Sequence, residues 1–475
     1  MFKMLNNVEA VRRDELGVQP LYWTDWDGKV VVSDDVNELF VRTKLPRKMR
    51  RELLGEYFAQ GWICEPDTIW ESVYKVPAGC ELVVENSKPV VRRWWSVTEG
   101  KLSHVSLRDR IRESVACALQ GEKKVCNWFS GGVDSSVLAA FVRDKGLKHL
   151  HVMLGDGESE RVLRMEKSFA LDVECLKPVS SLIRLYPELC RKMGEPIADP
   201  GIIAAYWLGQ ESVKRGCTAV LSGMGGDELD AGYPRNKIIV RLFNLGIVRA
   251  LGTWPLRIAG WLAVRGSFLL KGKRKRDVKR LGSFLQRPNV AYYFNLFGYF
   301  TKEEIDVIVG KGWFDRYRQK VAEQTVEFEG TKKFFGYELK GFLASHNNIY
   351  GAQACKAAGV ECRTPLLDPK IAQQLWAEID SPRFVGKQRL TQVLADELGD
   401  CFVKVKKSGF RFPVEERLGE MDWAIVSRRL QGVVTPDGLG LLDELVRQAK
   451  RGDVNGVYMK LWVFWTLANF LNEYE

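Results

Sequence analysis

The chain has 475 residues, 46% hydrophobic and 28% charged, which suits a globular protein of two or three domains and excludes a largely disordered one. Its net charge of +11 suggests anionic partners, but no nucleic-acid-binding motif accompanies the basic run at 271–280, so we expect a solvated surface segment and no nucleic acid. No stretch has the roughly 18 uncharged apolar residues that span a bilayer, and the start has no signal-peptide core, so the sequence predicts a cytoplasmic protein without a membrane span.

The first hundred residues have the pattern of a β-rich unit. Apolar residues alternate on both sides of the Asp27-Gly28 turn and of the polar turn in ELVVENSKPVVRRWW, which predicts two hairpins. Between the hairpins, RKMRRELLGEYFAQGW has helical spacing. A unit of this size is too small to bury a complete core of its own. We therefore interpret residues 1–100 as a partial β domain.

Residues 105–475 follow a different pattern. Helices alternate with the apolar strands KKVCNWF, HLHVMLG and TAVLSG, which predicts a parallel, doubly wound α/β sheet covered on both faces. After about residue 235 the chain is predominantly helical. One apolar stretch there, FNLGIVRALGTWPLRIAGWLAVRGSFLL, is interrupted by arginines, which indicates amphipathic helices. We expect 105–475 to be a second domain.

The segment FSGGVDSS follows the first predicted strand of that sheet. Its glycines allow positive φ and bring bare backbone N–H groups toward a ligand, while the following helix directs its positive end at the same place. An anion such as a phosphate would suit this loop, and Asp134 could hold a divalent cation that the phosphates share. The alternative is a tight turn with Asp134 as a helix cap.

The segment LSGMGGDELDAGYPR is a second glycine-rich turn after a strand. Asp227 provides a second carboxylate, and ligands of parallel sheets bind beyond the carboxyl ends of the strands. Two carboxylates on neighbouring strand ends predict a magnesium site. An ordinary glycine-rich turn remains the alternative.

Two further segments are less specific. GVECRTPLLD places Glu361 and Arg363 among apolar residues, which an internal salt bridge explains equally well. VKVKKSGFRFP carries a lysine pair before a glycine turn, which also fits solvated charge before a loop. The ten cysteines form no CxxC pair and the four histidines have no metal-helix spacing, so we expect reduced core thiols and no histidine-based metal site.

The ordered motifs SGGVDSS, LSGMGGDEL, GVECRTPLLD and KKSGFRFP together resemble the asparagine synthetase family of ATP-dependent amide ligases, from about residue 105 to the last residue. The residues before them look like the later half of that family's N-terminal glutaminase domain. The resemblance implies an ATP-pyrophosphatase (PP-loop) sheet with a helical C-terminal part, preceded by a partial glutaminase-like domain. It also implies ATP and Mg²⁺ as cofactors.

The resemblance assigns roles to particular residues. The positions that match the ATP and pyrophosphate site are Phe129, Ser130, Gly131, Gly132, Asp134, Ser135, Met153 and Gly223. Magnesium would be held by Asp134 and Asp227, and the catalytic lysine would be Lys407. Glu361 and Arg363 are assigned to the substrate side or to a structural role. The implied reaction adenylates a carboxylate with release of pyrophosphate, after which an amine displaces AMP.

The chain also departs from the family pattern. It begins Met1-Phe2 and lacks the N-terminal cysteine nucleophile, so we expect no glutamine hydrolysis and a nitrogen supply from ammonia or a separate glutaminase. Met224 stands where asparagine-forming members often have an acid, and Asp230 and Ala231 stand where the family often has Phe-Gly. The default substrates are aspartate plus ammonia or glutamine-derived nitrogen. The alternatives are a related adenylating amidotransferase or cyclase acting on a sugar acid, peptide or secondary metabolite, and a non-catalytic nucleotide-binding relative.

Overall fold

The computed structural model describes residues 2–5, 9–99, 104–121, 124–152, 159–178, 181–270, 272–403 and 412–474. The strands are β1 (Phe2–Leu5), β2 (Ala10–Arg12), β3 (Tyr22–Trp26), β4 (Lys29–Ser33), β5 (Tyr74–Lys75), β6 (Cys80–Glu85), β7 (Lys88–Arg93), β8 (Val125–Trp128), β9 (Lys148–Val152), β10 (Val173–Leu176), β11 (Ala219–Leu221) and β12 (Glu361–Arg363).

The helices before the long C-terminal helical region are α1 (Val36–Thr43), α2 (Leu54–Gln60), α3 (Leu107–Ala118), α4 (Val133–Val142), α5 (Glu160–Phe169), α6 (Tyr186–Met193), α7 (Gly201–Lys214) and α8 (Gly226–Leu229). The helices of that region are α9 (Pro234–Phe243), α10 (Gly246–Leu251), α11 (Trp254–Gly266), α12 (Gly272–Gln286), α13 (Lys302–Val309), α14 (Trp313–Gln324), α15 (Lys332–Tyr337), α16 (Ala354–Ala358), α17 (Pro369–Trp376), α18 (Gln388–Leu398), α19 (Trp423–Leu430), α20 (Pro436–Lys450) and α21 (Val454–Tyr474). Two π-helical segments, Glu338–Asn347 and Ile349–Gln353, connect α15 to α16.

The N-terminal residues form two antiparallel sheets, with strand orders β1-β4-β3-β5 and β2-β6-β7. Both predicted hairpins are confirmed, as β3–β4 and β6–β7. Asp27 and Gly28 both have positive φ, 51° and 70°, the backbone twist that two-residue hairpin turns require. The helical pattern between the hairpins corresponds to α2 and the short 3₁₀ turn before it.

The N-terminal sheets share a hydrophobic core with the C-terminal helices. Tyr57 and Phe58 of α2 are fully buried, and the Phe58 ring lies 5.1 Å from that of Phe464 in α21. The Tyr57 hydroxyl is 2.7 Å from the Thr466 hydroxyl of the same helix. The N-terminal β unit therefore buries part of its apolar surface against helices that lie far away in the sequence, and another part, including Val30 and Leu82, between its own two sheets.

The parallel sheet has the strand order β10-β9-β8-β11-β12. The chain winds outward from β8 on one side and then returns to add β11 and β12 on the other, so the topological switch point lies between β8 and β11. Ala219 and Leu221 share a core with α3 and α4, whereas Val220 packs with residues of α7 and α16, so helices cover both faces. The predicted α/β architecture with a parallel sheet and a helical C-terminal part is confirmed.

Two features of this sheet were not predicted. β10 and β12 extend the sheet at its edges, although their short sequences VECL and ECR carry polar residues. Cys126 of β8 is paired with Cys217, with 6.1 Å between their Cα atoms, so the expectation of reduced thiols is wrong for this pair. The pairing was hidden because the two cysteines are 91 residues apart and become neighbours only when β8 and β11 align.

Among the described residues, no helix has the length and hydropathy to cross a bilayer.

Candidate active site

A cavity of about 500 Å³ opens beyond the carboxyl ends of β8 and β11. This is the switch point, where parallel sheets of this kind bind their ligands. Six of the predicted site residues line the cavity, namely Phe129, Ser130, Asp134, Ser135, Gly223 and Asp227. The two glycine-rich turns thus contribute to one site, as the sequence predicted.

The first turn is shaped by Gly131, whose φ is +74°. A Cβ atom at this position would lie 2.0 Å from the Ser159 hydroxyl, so a side chain would clash as well as strain the backbone. Within the turn, the Ser130 and Ser135 hydroxyls are 3.0 Å apart, and the Gly132 N–H donates to Ser130 Oγ. Because α4 begins at the next residue, its positive end faces the turn and favours an anion there.

The second turn packs directly on the first. A Cβ atom at Gly223 would lie 2.8 Å from the Ser135 backbone nitrogen, and one at Gly226 would lie 2.2 Å from Asp134 Oδ1. Larger residues at either position would push the turns apart. The two glycines therefore let Asp134 and Asp227 approach each other at the floor of the cavity.

Lys387 lies between these two carboxylates, and the sequence had given no sign of it. Its ammonium group contacts Asp134 Oδ2 and is 2.9 Å from Asp227 Oδ1. Burial alone would lower the pKa of Lys387, but the two adjacent carboxylates outweigh burial and raise its pKa, so the side chain stays charged. The cluster is a buried cation held by two acids that are 93 residues apart in the sequence.

The backbone around Lys387 is fixed by the segment after Asp227. The buried Asp230 carboxylate accepts hydrogen bonds from Arg389 Nε at 2.8 Å and from the Leu390 N–H at 2.9 Å, and its carbonyl accepts from the Lys387 N–H. A Cβ at Gly232 would lie 2.2 Å from Asp227 Oδ1 and 2.5 Å from Lys387 Cε. Asp230, one of the departures from the family pattern, thus holds the start of α18.

The donor set fits a magnesium ion that shares its ligands with a substrate. Within the described residues, no group of three or more His, Cys, Asp and Glu side chains could hold a metal by itself. Mg²⁺ is commonly held by one or two carboxylates together with phosphate oxygens and water, and Asp134 and Asp227 supply two carboxylates. The Lys387 ammonium between them shows that a positive charge is accommodated at this place.

The end of the cavity that adjoins Asp227 on the side of Glu228 is acidic. Glu228 is fully buried, and the Tyr233 hydroxyl and Asn347 Nδ2 both donate to its Oε1. Burial, and then the neighbouring Asp227, raise the pKa of Glu228 to about 7. Asp199 also lines this end and is 3.2 Å from His346 Nε2. The sequence analysis assigned none of these side chains to the site. Asn347 and His346 could not be predicted because a π-helical segment with no simple sequence signature brings them here.

The remaining predicted residues lie in several places. Gly131 and Gly132 form the first turn. Met153 and Lys407 lie outside the described residues. Arg363 is 2.9 Å from Glu361 Oε1, donates to the Ala118 carbonyl and does not contribute to the cavity lining, which favours the structural alternative for this pair.

The chain on either side of the predicted lysine segment contacts the site. Arg161 donates from Nε to the Phe402 carbonyl at 2.8 Å, and its guanidinium also donates to the Gly131 carbonyl. After the segment, Phe412 lines the cavity. Arg161, a residue that sequence reasoning missed, therefore ties the first turn to residues just before that segment.

Comparison with known proteins gives two family matches. The asparagine synthase family model matches residues 106–435, and the glutamine amidotransferase domain model matches residues 2–95.

Among curated proteins, asparagine synthetase [glutamine-hydrolyzing] 1 of Bacillus subtilis is 29% identical over 240 residues, which is 46% of this chain and 37% of that protein. A putative asparagine synthetase [glutamine-hydrolyzing] of Mycobacterium bovis is 23% identical over 443 residues, 87% of this chain and 66% of that protein. Amidase chyE of Penicillium rubens is 24% identical over 253 residues, 46% of this chain and 37% of that protein. The chain thus spans between 37% and 66% of the lengths of these relatives.

Proposed function

The chain belongs to the asparagine synthase family, and on this premise we propose that it is an ATP-dependent amide ligase. In the proposed reaction a carboxylate oxygen attacks the α-phosphorus of ATP, the bond to the β-phosphate breaks and pyrophosphate leaves. An amine nitrogen then attacks the acyl carbon, AMP leaves and an amide is formed. The parallel sheet would be of the PP-loop type, and residues 2–95 would be a glutaminase-like unit.

The observation that carries this proposal is the meeting of Asp134, Asp227 and Lys387 at the switch point. Three charged groups from distant segments converge beside a glycine turn and a helix N-terminus, and the two acids of this group line the cavity. A purely structural turn would have no need to bury a lysine between two acids, because such burial costs free energy. Binding of an anionic, metal-bound ligand such as the triphosphate of ATP would explain why these three charged groups are buried together.

Each group then has a role. The backbone and hydroxyls of Ser130, Gly131 and Ser135 would bind the pyrophosphate. Mg²⁺ held by Asp134 and Asp227 would neutralise phosphate charge. Lys387 would add a fixed positive charge beside the phosphates. Lys407 is proposed as the catalytic cation for the acyl-adenylate step.

The acidic end of the cavity fits the amine. Glu228 and Asp199 give that end a negative potential suited to a cationic or proton-bearing nitrogen, and Tyr233 and Asn347 orient the Glu228 carboxylate. We assign Glu228 as the base that takes the proton when the nitrogen attacks. This carboxylate would replace the acid that is absent at Met224.

The nitrogen is proposed to come from outside the residues matched by the amidotransferase model. Their cysteines are Cys64 and Cys80, and both are buried. Burial raises the pKa of the Cys64 thiol to about 12 and that of Cys80 to about 11, which leaves neither as a useful nucleophile. Free ammonia, a separate glutaminase or an amine substrate would serve instead.

A second candidate keeps the adenylation and changes the acceptor. Met224 lines the cavity, and its methyl group would be 1.8 Å from a Cβ at Gly351, so this part of the wall is apolar and closely packed. A less polar acid or amine than aspartate and ammonia would contact it well. This observation favours a related adenylating enzyme that acts on a peptide or secondary metabolite, whereas a polyhydroxylated sugar acid would gain little from the apolar wall.

The test is pyrophosphate release from ATP and Mg²⁺ with a panel of carboxylic acids, with and without ammonia. We expect release with at least one acid, and a loss of at least about 100-fold in Asp134→Asn and Asp227→Asn. Asp453→Asn, at an exposed position, is the matched control and should retain full activity. Asparagine formed from aspartate and ammonia would select the default substrates. ATP binding without release for any acid would refute a ligase and support the non-catalytic relative.

A further inference from the structure

A second surface, remote in sequence from the glycine turns, is formed by the outward side of α11 and the turn after it. Of the eighteen large hydrophobic side chains that are exposed among the described residues, nine lie between residues 245 and 269. We call six of them the α11 face: Trp254, Ile258, Trp261, Leu262, Phe268 and Leu269. Phe268 and Leu269 are the most exposed of the six, at 72% and 75%.

The spacing of these residues places them on one side of the helix. Positions 254, 258, 261 and 262 recur at three- and four-residue intervals, the pattern of an apolar stripe, and the interval continues to 265 and 268–269. In most surface helices such a stripe faces the core. In α11 it faces solvent.

The other side of α11 is already packed. Gly260 of α11 and Gly282 of α12 approach so closely that a Cβ at Gly260 would lie 2.7 Å from the Gly282 carbonyl oxygen. Leu256 of α11 and Phe284 of α12 are buried in the main core. The two helices therefore form a firmly seated hairpin, and the exposure of the α11 face does not result from a loosely placed helix.

Positive charge is concentrated on the same hairpin. Residues 246–286 contain ten Lys or Arg and one Asp, so their net charge is +9, compared with +11 for the whole chain. Arg257 and Arg265 are exposed between the apolar positions, and the Arg265 guanidinium is 3.9 Å from the Trp261 ring. On α12, Arg274, Lys275 and Lys279 are exposed, shortly after the apolar turn.

We propose that the α11–α12 hairpin, together with α10 before it, docks the protein on the surface of an anionic lipid bilayer. The α11 face would enter the boundary between headgroups and acyl chains, where Trp, Leu and Phe are favoured, and the basic side chains would contact lipid phosphates. At 13 residues α11 is too short to span a bilayer, so the association is peripheral.

Charge complementarity separates this partner from the alternatives. A second copy of the chain would bring nine more positive charges to the same contact and would be repelled. A nucleic acid would use the basic side chains but would leave Leu262, Phe268 and Leu269 exposed to water. An anionic bilayer satisfies the apolar face and the charge together.

The test is sedimentation of the full chain with vesicles of phosphatidylcholine alone or with about 30% phosphatidylglycerol. We expect binding to the anionic vesicles, weakening as salt rises, and little binding to the neutral ones. Phe268→Ser with Leu269→Ser should lower the partition coefficient at least about tenfold. Val41→Ser with Val326→Ser, at positions that are each 72% exposed, is the matched control and should not change it.

A charge variant tests the other half of the proposal. Lys275→Glu with Lys279→Glu should also lower binding at least about tenfold, and Lys145→Glu with Lys311→Glu, exposed elsewhere, should leave it nearly unchanged. If the variant Phe268→Ser with Leu269→Ser does not fold, the variant Lys275→Glu with Lys279→Glu still tests the proposal. Equal binding to neutral and anionic vesicles, no binding to either, or equal losses in the test and control variants would overturn the proposal. A dimer that dissociates in the Phe268→Ser, Leu269→Ser variant, without vesicle binding, would identify a second copy as the occupant instead.

Discussion

Lys320 links the N-terminal unit to the helical part, and its substitution by Met tests whether the two fold as one. Its ammonium group is 2.6 Å from Glu56 Oε2 and 2.6 Å from Asp67 Oδ2. All three side chains are largely buried, with 7%, 3% and 14% of their surface exposed. Lys320 belongs to α14, whereas both acids belong to the unit matched by the amidotransferase model.

The expected cost follows from what each acid retains. Asp67 keeps an ion pair with Arg50, at 2.6 Å. Glu56 keeps the Cys64 N–H and the Gln60 amide as hydrogen-bond donors but loses its cation. Leaving a buried charge without its partner typically costs 3 to 5 kcal/mol, and the remaining donors place this case at the low end, about 3 kcal/mol.

The assay is urea denaturation followed by far-UV circular dichroism and tryptophan fluorescence. We expect Lys320→Met to lower the free energy of unfolding by about 3 kcal/mol with both probes together, because the core is shared. Glu56→Gln combined with Lys320→Met should recover most of the loss, because the amide removes the uncompensated charge while its oxygen still accepts from the Cys64 N–H. Lys333→Met, at an exposed position, is the control and should stay within about 0.5 kcal/mol of the parent.

Two results would refute this reasoning. A change below about 0.5 kcal/mol in Lys320→Met would mean that the ion pairs contribute nothing net. A double variant as unstable as the single one would mean that the loss comes from packing of the lysine stem rather than from an uncompensated Glu56 charge.

The remaining predictions concern the cavity. Lys387→Met should lower pyrophosphate release at least about 100-fold. In the absence of nucleotide, Mg²⁺ should raise the melting temperature of the Lys387→Met variant more than that of the parent protein, because Asp134 and Asp227 face each other in the variant without a cation. Lys370→Met, an exposed lysine, is the control, and an equal response to Mg²⁺ in all three proteins would contradict the prediction. Glu228→Gln should leave single-turnover pyrophosphate release within about threefold but lower amide formation at least about 100-fold, as expected for loss of a general base. Equal losses of pyrophosphate and amide would contradict that role.

The sequence predicted the two glycine turns well because each carries its own local signal. An apolar run followed by Gly-Gly and an acid indicates a strand, a turn and a helix start without reference to the rest of the chain, and β8 and β11 lie where the patterns placed them. The family match adds weight to the same segments. The sequence predicted that both turns lie at the carboxyl ends of strands. It did not predict how the two turns pack on each other, because that packing depends on the order of strands in the sheet.

Lys387 could not be predicted in the same way. Its surroundings, RFVGKQRL, are typical of a solvated turn before a helix, and its partners are 253 and 160 residues away. Only the fold shows that the side chain is buried, and only burial between two acids marks it as part of the site. The acidic end of the cavity was missed for a similar reason, because Asn347 reaches Glu228 from a π-helical segment.

The N-terminal unit also reaches the cavity, through a chain of contacts that begins at Trp62. Its indole nitrogen donates to the Gly341 carbonyl at 2.9 Å, and its ring lies 4.3 Å from that of His346. His346 in turn contacts Asp199, which lines the acidic end. A unit that completes the core through α2 and positions a cavity residue through Trp62 has a reason to be retained whether or not it performs chemistry. The N-terminal unit is therefore structurally part of the same fold as the cavity.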